Sequence, residues 1–546
     1  MAGAFVEGIP AWETPLGINT TIITIAFLVV LVYYIYLCIL TLVVRSPSAR
    51  GKGESQARFI FMIPCRNEEA VIAVTIKKLL EIDYPRKQIL VINDGSTDRT
   101  EEVVRSFADS EIVEVTSTID PGRGKGEALN FGYRWILDRL RAEGVSNYEN
   151  IIISIVDADG QPSKNICMAV EPFFDDPGVG AVQTAVRIAN VDANLITACQ
   201  DIEFTGFSQS IQKGRDRLGS VGLGGNGQFT RLSALSSLSI EHPWNRSLTE
   251  DLDIGVRLVL AGWRLRFCSS AFVAQQGVEK IRPLLVQRMR WMQGHYSTWK
   301  YIPALLRDRN IPLLTRADTT VYLLFGATPF IVLASLIISL LSVVGLINVT
   351  NKFSELLMRT NFVLFILVFY FVSFLIAIIF VSFYMRYKKL SVLRLIIMYN
   401  VFAFYTFLWI PSSLGAVINL IRGQKTWVKT GRTAIEEFIE LREDERVDVA
   451  FPVEVNMGGR SVELTVRDVS AGGIGIQATK GYFVEHAIEV VSVGNTVTVI
   501  TPQTGTRVRS LVVWVAYLGS NQVRAGMRFD EPEVLDLKEC FGIEVP

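Results

Sequence analysis

Ile151-Ile152-Ile153-Ser154-Ile155-Val156-Asp157-Ala158-Asp159-Gly160 decides the fold of the chain. Its first six residues, apolar and β-branched but for one serine, read as a strand buried on both faces, as in parallel sheets. Two carboxylates and a glycine then stop it. Upstream the pattern repeats. Arg58–Pro64 predicts a strand and Glu68–Leu80 a helix; Gln88–Ile92 a strand and Asp98–Ala108 a helix; Glu111–Thr116 a strand and Lys125–Leu140 a helix. Strands alternating with helices specify an α/β domain on a mostly parallel sheet. Ligands bind such sheets beyond the carboxyl ends of the strands. The acidic motifs fall there: Asn93-Asp94-Gly95-Ser96 after the second strand and Asp157-Ala158-Asp159-Gly160 after the fourth.

The remainder of the 546 residues points to a membrane. Half of them are hydrophobic and a fifth charged, fewer than the quarter usual in soluble domains. The 54 basic and 54 acidic residues cancel, which excludes a globally basic nucleic-acid binder. Six cysteines without a CxxC pair exclude a disulfide scaffold and a zinc ribbon, and three histidines argue against a histidine metal site. Residues 20–44 form an apolar run followed by Arg45, Arg50, Lys52 and Arg58. As a helix it would span about 37 Å, enough to cross a bilayer with the N-terminus outside. Further apolar runs lie at 321–347, 361–385 and 392–421. If the middle of the chain is cytoplasmic, one crossing at 392–421 would strand the C-terminal domain outside, against the basic residues flanking that run. Asn400 and Pro411-Ser412-Ser413 inside it favour a broken or re-entrant element, or an interfacial helix plus a further crossing.

Several residues carry candidate chemistry. Asp157 and Asp159 can bind a hard divalent cation whose shell a diphosphate completes, or they are turn residues bonding their own backbone. Asp94 in NDGS suits a turn equally well. In Thr249-Glu250-Asp251 a carboxylate can act as general base, and Thr249 can equally cap a helix. Gln287-x-x-Arg290-Trp291 lies in a stretch with aromatic and basic residues at helical spacing. Such a helix can lie at a membrane interface, while Arg290 contacts a pyrophosphate and Trp291 offers a sugar-stacking face. Gly224-Gly225-Asn226-Gly227-Gln228 lets a chain approach closely, with Asn226 and Gln228 available to sugar hydroxyls, or it is a flexible loop.

In this order, between apolar runs, the four motifs resemble a membrane-embedded, processive family 2 glycosyltransferase of the cellulose, hyaluronan and chitin synthase type, over about residues 20–435. Pro64-Cys65-Arg66-Asn67-Glu68 and Lys125-Gly126-Glu127-Ala128-Leu129-Asn130 also match. The resemblance implies a GT-A sheet domain under an α-helical transmembrane tunnel. Asp94 would contact the uracil of a UDP-sugar and Lys125 would sit by its phosphates. Asp159, supported by Asp157, would hold Mg²⁺ or Mn²⁺. Asp251, next to Glu250, would take the proton from the acceptor hydroxyl, and Gln287, Arg290 and Trp291 would hold the diphosphate and the acceptor end. Trp427-Val-Lys-Thr430-Gly-Arg432 resembles the family's gating loop. The products would be β-linked polysaccharides, with UDP-glucose the donor favoured. The Gly-rich stretch departs from the Phe-Phe-Cys-Gly-Ser-like acceptor motif of cellulose synthases, which leaves the polymer's identity open. Transfer of one sugar to a lipid carrier is the alternative, and a catalytically dead sensor the third.

Composition shifts at Glu436, and from Val447 onward β-branched and polar residues alternate between Gly turns, as in a small all-β barrel. Arg442-Glu-Asp-Glu-Arg446, followed by Asp468-Val-Ser470-Ala-Gly-Gly473, is similar to the PilZ signature and implies cyclic di-GMP as an activating ligand. The arginines would fork onto phosphates and stack on guanine, while Asp468 and Ser470 read a base edge. The expected organisation is multi-domain: a transmembrane helix (1–50), the catalytic domain (51–310), a transmembrane channel with gating loop (311–435) and PilZ (436–546). A bacterial inner membrane, with both globular domains cytoplasmic and accessory secretion subunits alongside, completes the expectation.

Overall fold

This computed structural model describes residues 32–33, 35–41, 56–107, 112–343, 370–371, 373–386, 388, 391–423, 447–457, 460–470, 473–479, 496–500, 507–517 and 522–529. The chain divides into two compact units, Met1–Phe438 and Ile439–Pro546.

The first unit is built on strands β1 (Arg58–Cys65), β2 (Lys87–Asn93), β3 (Val113–Ser117) and β4 (Ile151–Ile155). All four run parallel, in the spatial order β3-β2-β1-β4. Alternate residues of each strand feed opposite cores, as the two-residue repeat of a strand requires. Ile60, Met62, Leu90, Ile92, Ile153 and Ile155 pack under helix α3 (Lys125–Ala142). Phe59, Phe61, Ile63, Ile89, Val91 and Ile152 pack under helix α1 (Ile72–Leu80). Covered on both faces, these strands need continuous apolar sequence, which is why they were legible. The helices start later than their periodicity suggests: α1 at Ile72, and α2 (Thr100–Arg105) at Thr100, because Glu68 and Asp98 bond each other's loops. The Glu68 amide donates to Thr100 Oγ1 and the Glu69 amide to Asp98 Oδ2.

Beyond β4 the sheet continues through β7 (Gln228–Arg231), β6 (Val179–Ile188), β8 (Arg264–Gln275) and β5 (Gln161–Pro162). β7 is antiparallel to both neighbours and β5 is antiparallel to β8. The sheet is therefore mixed, and its parallel half carries the acidic motifs. Cys65 pairs with Asn93 and Met62 with Ile155, so β1, β2 and β4 end side by side.

Three further helices flank the site: α4 (Leu195–Gly206), α5 (Glu250–Leu260) and α6 (Ile281–Ser297). The run expected as a crossing at 321–347 is interrupted. Helix α7 (Leu313–Leu324) is followed by a tight turn at Phe325–Ala327 and then by α8 (Thr328–Val343). α7 is tied into the first unit: Asp318 is buried and accepts from Arg215 Nε at 2.8 Å, Ser220 Oγ at 2.6 Å and the hydroxyl of Tyr33 at 2.8 Å. Tyr33 is helical, and the backbone of Leu37, in the helical segment 35–41, abuts Gly214.

Among the described residues, Val392–Ile421 is the one stretch long and apolar enough to cross a membrane, with mean hydropathy 1.7. Two turn residues divide it. α9 (Val392–Thr406) stops at Phe407–Leu408 and α10 (Trp409–Ile421) begins. Pro411 has no N–H to give the Phe407 carbonyl, which accepts from Ile410 instead at 3.1 Å. Residues of α9 and of the helical segment 373–384 pack with Leu37, Cys199, Ile202, Ile211 and Leu284 in one cluster. Val392, Leu393, Phe404 and Ile421 are left outward-facing.

The second unit is a closed antiparallel barrel of six strands: β9 (Val447–Met457), β10 (Arg460–Ser470), β11 (Gly473–Thr479), β12 (Thr496–Ile500), β13 (Arg507–Tyr517) and β14 (Gln522–Phe529). Val453, Val455, Leu464, Val466, Ile474, Ile476 and Met527 fill it. Closure removes the open edges that six short strands would otherwise expose. Asp468 and Ser470 end β10, and Ser470 pairs with Gly473 at the start of β11. Arg442, Arg446 and the loop residues Trp427, Thr430 and Arg432 lie outside the described residues.

Candidate active site

The carboxyl ends of β1 and β4 open into a cavity of about 990 Å³. At its sheet end a charged cluster gathers residues far apart in sequence. Lys125, the first residue of α3, places its Nζ 2.7 Å from Asp157 Oδ1 and 3.2 Å from Glu250 Oε1. Asp251 follows Glu250 in the first turn of α5 and keeps a surface toward the cavity. Burial and the neighbouring Glu250 push its carboxyl up to about 7, although Lys125 and the Leu252 amide pull the other way. Burial works against the Lys125 charge, but Asp157, Glu250 and Asp251 outweigh it and hold its pKa above the ordinary lysine value. A carboxylate poised near neutrality beside a permanent cation suits a general base.

Asp159 is 2% exposed and its Oδ2 accepts the Gln276 amide at 3.0 Å. Among the described residues no group of three His, Cys, Asp or Glu side chains forms a metal cage. Asp157 and Asp159 nevertheless both line the cavity, and two hard oxygen donors fit Mg²⁺ or Mn²⁺, which take one or two carboxylates and fill the shell with phosphates and water.

Asp94 sits just past β2. Its carboxylate accepts from Thr118 Oγ1 at 2.8 Å and from the Gly122 amide at 3.1 Å, so it shapes the loop leading to Lys125. It is absent from the cavity walls.

Gln287, Arg290 and Trp291 line the cavity from α6. α6 lies against the Thr249 loop because Gly294 has no side chain; a β-carbon there would collide with Thr249. Thr249 occupies the position before α5 but makes no side-chain capping bond. Trp291 meets Phe204 edge-on, with centroids 6.2 Å apart, and Trp409 at 6.5 Å.

The Gly-rich stretch is braced by glutamine side chains. Gln183 donates to the Asn226 carbonyl at 2.8 Å and accepts the Gly224 amide at 2.9 Å; Gln212 brackets Gly222 in the same two-way manner. The expected acceptor contacts of Asn226 and Gln228 are corrected by their burial, at 1% and 0% exposure. Asn226 accepts the Asp157 amide at 3.2 Å and donates to Gln275 at 2.9 Å, while Gln228 donates to Thr230. Both face into the protein, and Asn226 orients the acidic motif from behind. Gly224 lines the cavity, and Gly225, with φ of +75°, brings bare backbone against Asp251.

Sequence patterns missed Gln183, Glu203, Arg288, Tyr405 and Trp409. All but Arg288 line the cavity, and no local motif marks them; Arg288 stands at an unspecified position of Gln287-x-x-Arg290-Trp291.

The comparisons with known proteins agree with this arrangement. The family model "Glycosyltransferase like family 2" matches residues 57–294, and the PilZ domain model matches 440–541. The chain is 33% identical over 255 residues to the beta-monoglucosyldiacylglycerol synthase of Nostoc sp., covering 45% of this chain and 51% of that one. It is 27% identical over 302 residues to a poly-beta-1,6-N-acetyl-D-glucosamine synthase of Staphylococcus epidermidis, covering 55% and 67%. It spans about half the length of the glycolipid synthases it matches. The mannosyltransferase of Pyrobaculum calidifontis, solved with GDP-Man and Mn²⁺, aligns over 75% of this chain and 99% of its own with a TM-score of 0.51 at 17% identity, a likeness of fold. Residues 57–294 are a family 2 glycosyltransferase domain of GT-A architecture, and the chain joins it to a C-terminal PilZ domain.

Proposed function

We propose that the chain is a processive, inverting β-glycosyltransferase that polymerises a UDP-sugar, UDP-glucose first among the candidates, and passes the product into a membrane channel of its own. One observation carries the proposal: a single cavity runs from Asp157, Asp159 and Asp251 to the aromatic walls of α6, α9 and α10. In the proposed reaction Asp251 takes the proton of the acceptor hydroxyl. That oxygen bonds to the sugar's anomeric carbon as its bond to the diphosphate breaks, and UDP departs. Lys125 compensates charge on the diphosphate side and keeps Asp251 ionised more readily than burial alone would allow. Arg290 holds the diphosphate, Trp291 stacks the acceptor sugar, and Asp94 orders the loop beside the base pocket. Asp159, with Asp157, would hold a divalent cation, which supplies charge neutralisation to the leaving group when bound. In this proposal the outward apolar side chains of α9 and α10 meet lipid, and the enzyme sits in a bacterial inner membrane with its globular domains cytoplasmic.

The PilZ domain supports control by cyclic di-GMP through Arg442, Arg446, Asp468, Ser470 and Gly473. Arg442 lies ten residues after Arg432, near enough in sequence for effector binding to act on the proposed gating loop of Trp427, Thr430 and Arg432.

A second reading, transfer of one sugar to a lipid, is favoured by the aliphatic and aromatic far wall of the cavity, which includes Ile331, Ile376 and Phe380. Purified full-length protein incubated with UDP-glucose or UDP-N-acetylglucosamine, Mg²⁺ or Mn²⁺ and cyclic di-GMP decides between them. A water-insoluble product cut by a linkage-specific hydrolase supports the polymer. A product that partitions into organic solvent as a single-sugar species supports the lipid, and no UDP release from any sugar nucleotide overturns both. Stimulation by cyclic di-GMP that survives Arg442→Ala/Arg446→Ala would sink the regulatory part.

A further inference from the structure

We propose that Arg288 and Glu203 are positioning residues that hold Trp291 in register for the acceptor, an inference that rests on the transferase reading above. Arg288 lies inside the Gln287-x-x-Arg290-Trp291 motif yet is 1% exposed. Its Nη1 donates to Glu203 Oε1 at 2.8 Å, and its Nη2 reaches Glu203 Oε2 and the Tyr405 hydroxyl. Glu203 also accepts from the Tyr405 hydroxyl at 2.9 Å and from Trp409 Nε1 at 3.1 Å. The guanidinium stands 4.3 Å over the Trp409 ring, 5.0 Å over Tyr405 and 5.8 Å from Trp291.

This node ties α4, α6 and both sides of the α9–α10 break together. Apolar side chains of similar volume would pack these helices at least as well, since buried ion pairs are seldom the stablest solution. What a forked, four-donor arrangement adds is orientation. Among the described residues, Phe204, next to Glu203, and Trp409, bonded to it, are rings that pack on Trp291. The node thereby sets the plane of the ring on which the acceptor sugar stacks, and so the distance of the sugar's hydroxyl from Asp251. When the ring tilts, water replaces the hydroxyl: the donor is still cleaved, to UDP and free sugar.

The test is the ratio of free sugar to sugar incorporated per UDP released, measured on the purified full-length chain with the donor that wild type uses. Glu203→Gln is expected to raise that ratio about tenfold, the order of one contacting pair's coupling. Tyr405→Phe, which keeps its ring and loses one donor, is expected to raise it by a smaller factor, and so is Trp409→Phe, which loses the Nε1 donor and exchanges the indole for a smaller ring. Should Glu203→Gln not fold, these two carry the test. UDP release and incorporation falling in equal proportion in all the variants that fold would overturn the inference and leave the transferase reading intact. Absence of UDP release in wild type would overturn that reading, and the inference with it.

Discussion

Gly225 and Asp251 are in contact through the absence of a side chain. A β-carbon at 225 would stand 3.0 Å from Asp251 Oδ2 and 3.2 Å from Lys125 Nζ, on a backbone with φ of +75°. Gly225→Ala therefore has two costs: about 1–2 kcal/mol for the left-handed conformation, and displacement of the carboxylate it presses on. The variant should fold with a lowered Tm and lose most of its UDP release. Wild-type turnover in a Gly225→Ala enzyme would show that Asp251 does not need its present place.

Asp251 predicts a pH profile. In the enzyme without donor or metal its carboxyl sits near 7, against an ordinary 3.8. The folded chain thus binds this proton more tightly than the unfolded chain does. Ionisation costs stability, beginning as pH rises past about 4 and complete above about 7. Asp251→Asn should raise Tm more at pH 8 than at pH 5, while UDP release falls on the order of 10²- to 10⁴-fold. Equal Tm gains at both values would show that the carboxyl is not held neutral.

Lys125 acts on the same group. Its charge pulls the Asp251 carboxyl down, so Lys125→Met should move the acid limb of the rate profile to higher pH. The check is log(kcat/KM) against pH in wild type and variant; an unmoved limb contradicts the pairing of Lys125 with this cluster.

Asp159 predicts metal dependence. Chelation should abolish UDP release and Mn²⁺ or Mg²⁺ restore it, and Asp159→Asn should raise the metal concentration needed. The binding readout is the Tm gained when UDP and Mn²⁺ are added together, which Asp159→Asn should shrink. An Asp159→Asn enzyme with the wild-type metal requirement would remove this residue from the site.

How much was legible depends on whether the information was local. The strands at Arg58, Lys87 and Ile151 announce themselves because burial on both faces demands unbroken apolar sequence. The carboxylates of Asp157 and Asp159 follow from where the strand at Ile151 must end, whereas Asp251 was marked by its motif at the start of α5. Asn226 and Gln228 were misjudged because a polar residue beside glycines looks the same whether it faces a ligand or braces a neighbour; only the partners at Asp157, Gln275 and Thr230 decide. Glu203, Arg288, Tyr405 and Trp409 gave no signal at all, since their meaning lies in a contact across as many as 206 residues. The interruption at Phe325–Ala327 was hidden because the apolar run beginning at Val321 continues through the turn into α8, while Asp318, just ahead of that run, binds α7 to Arg215 and Ser220.

The bond from Tyr33 to Asp318 spans 285 residues. A ribosome adding roughly 5–20 residues per second needs about 15–60 s to cover that interval. Tyr33 thus waits, already made, until Asp318 has emerged. Assembly of this protein closes like a clasp, with Tyr33 locking onto a helix made far later.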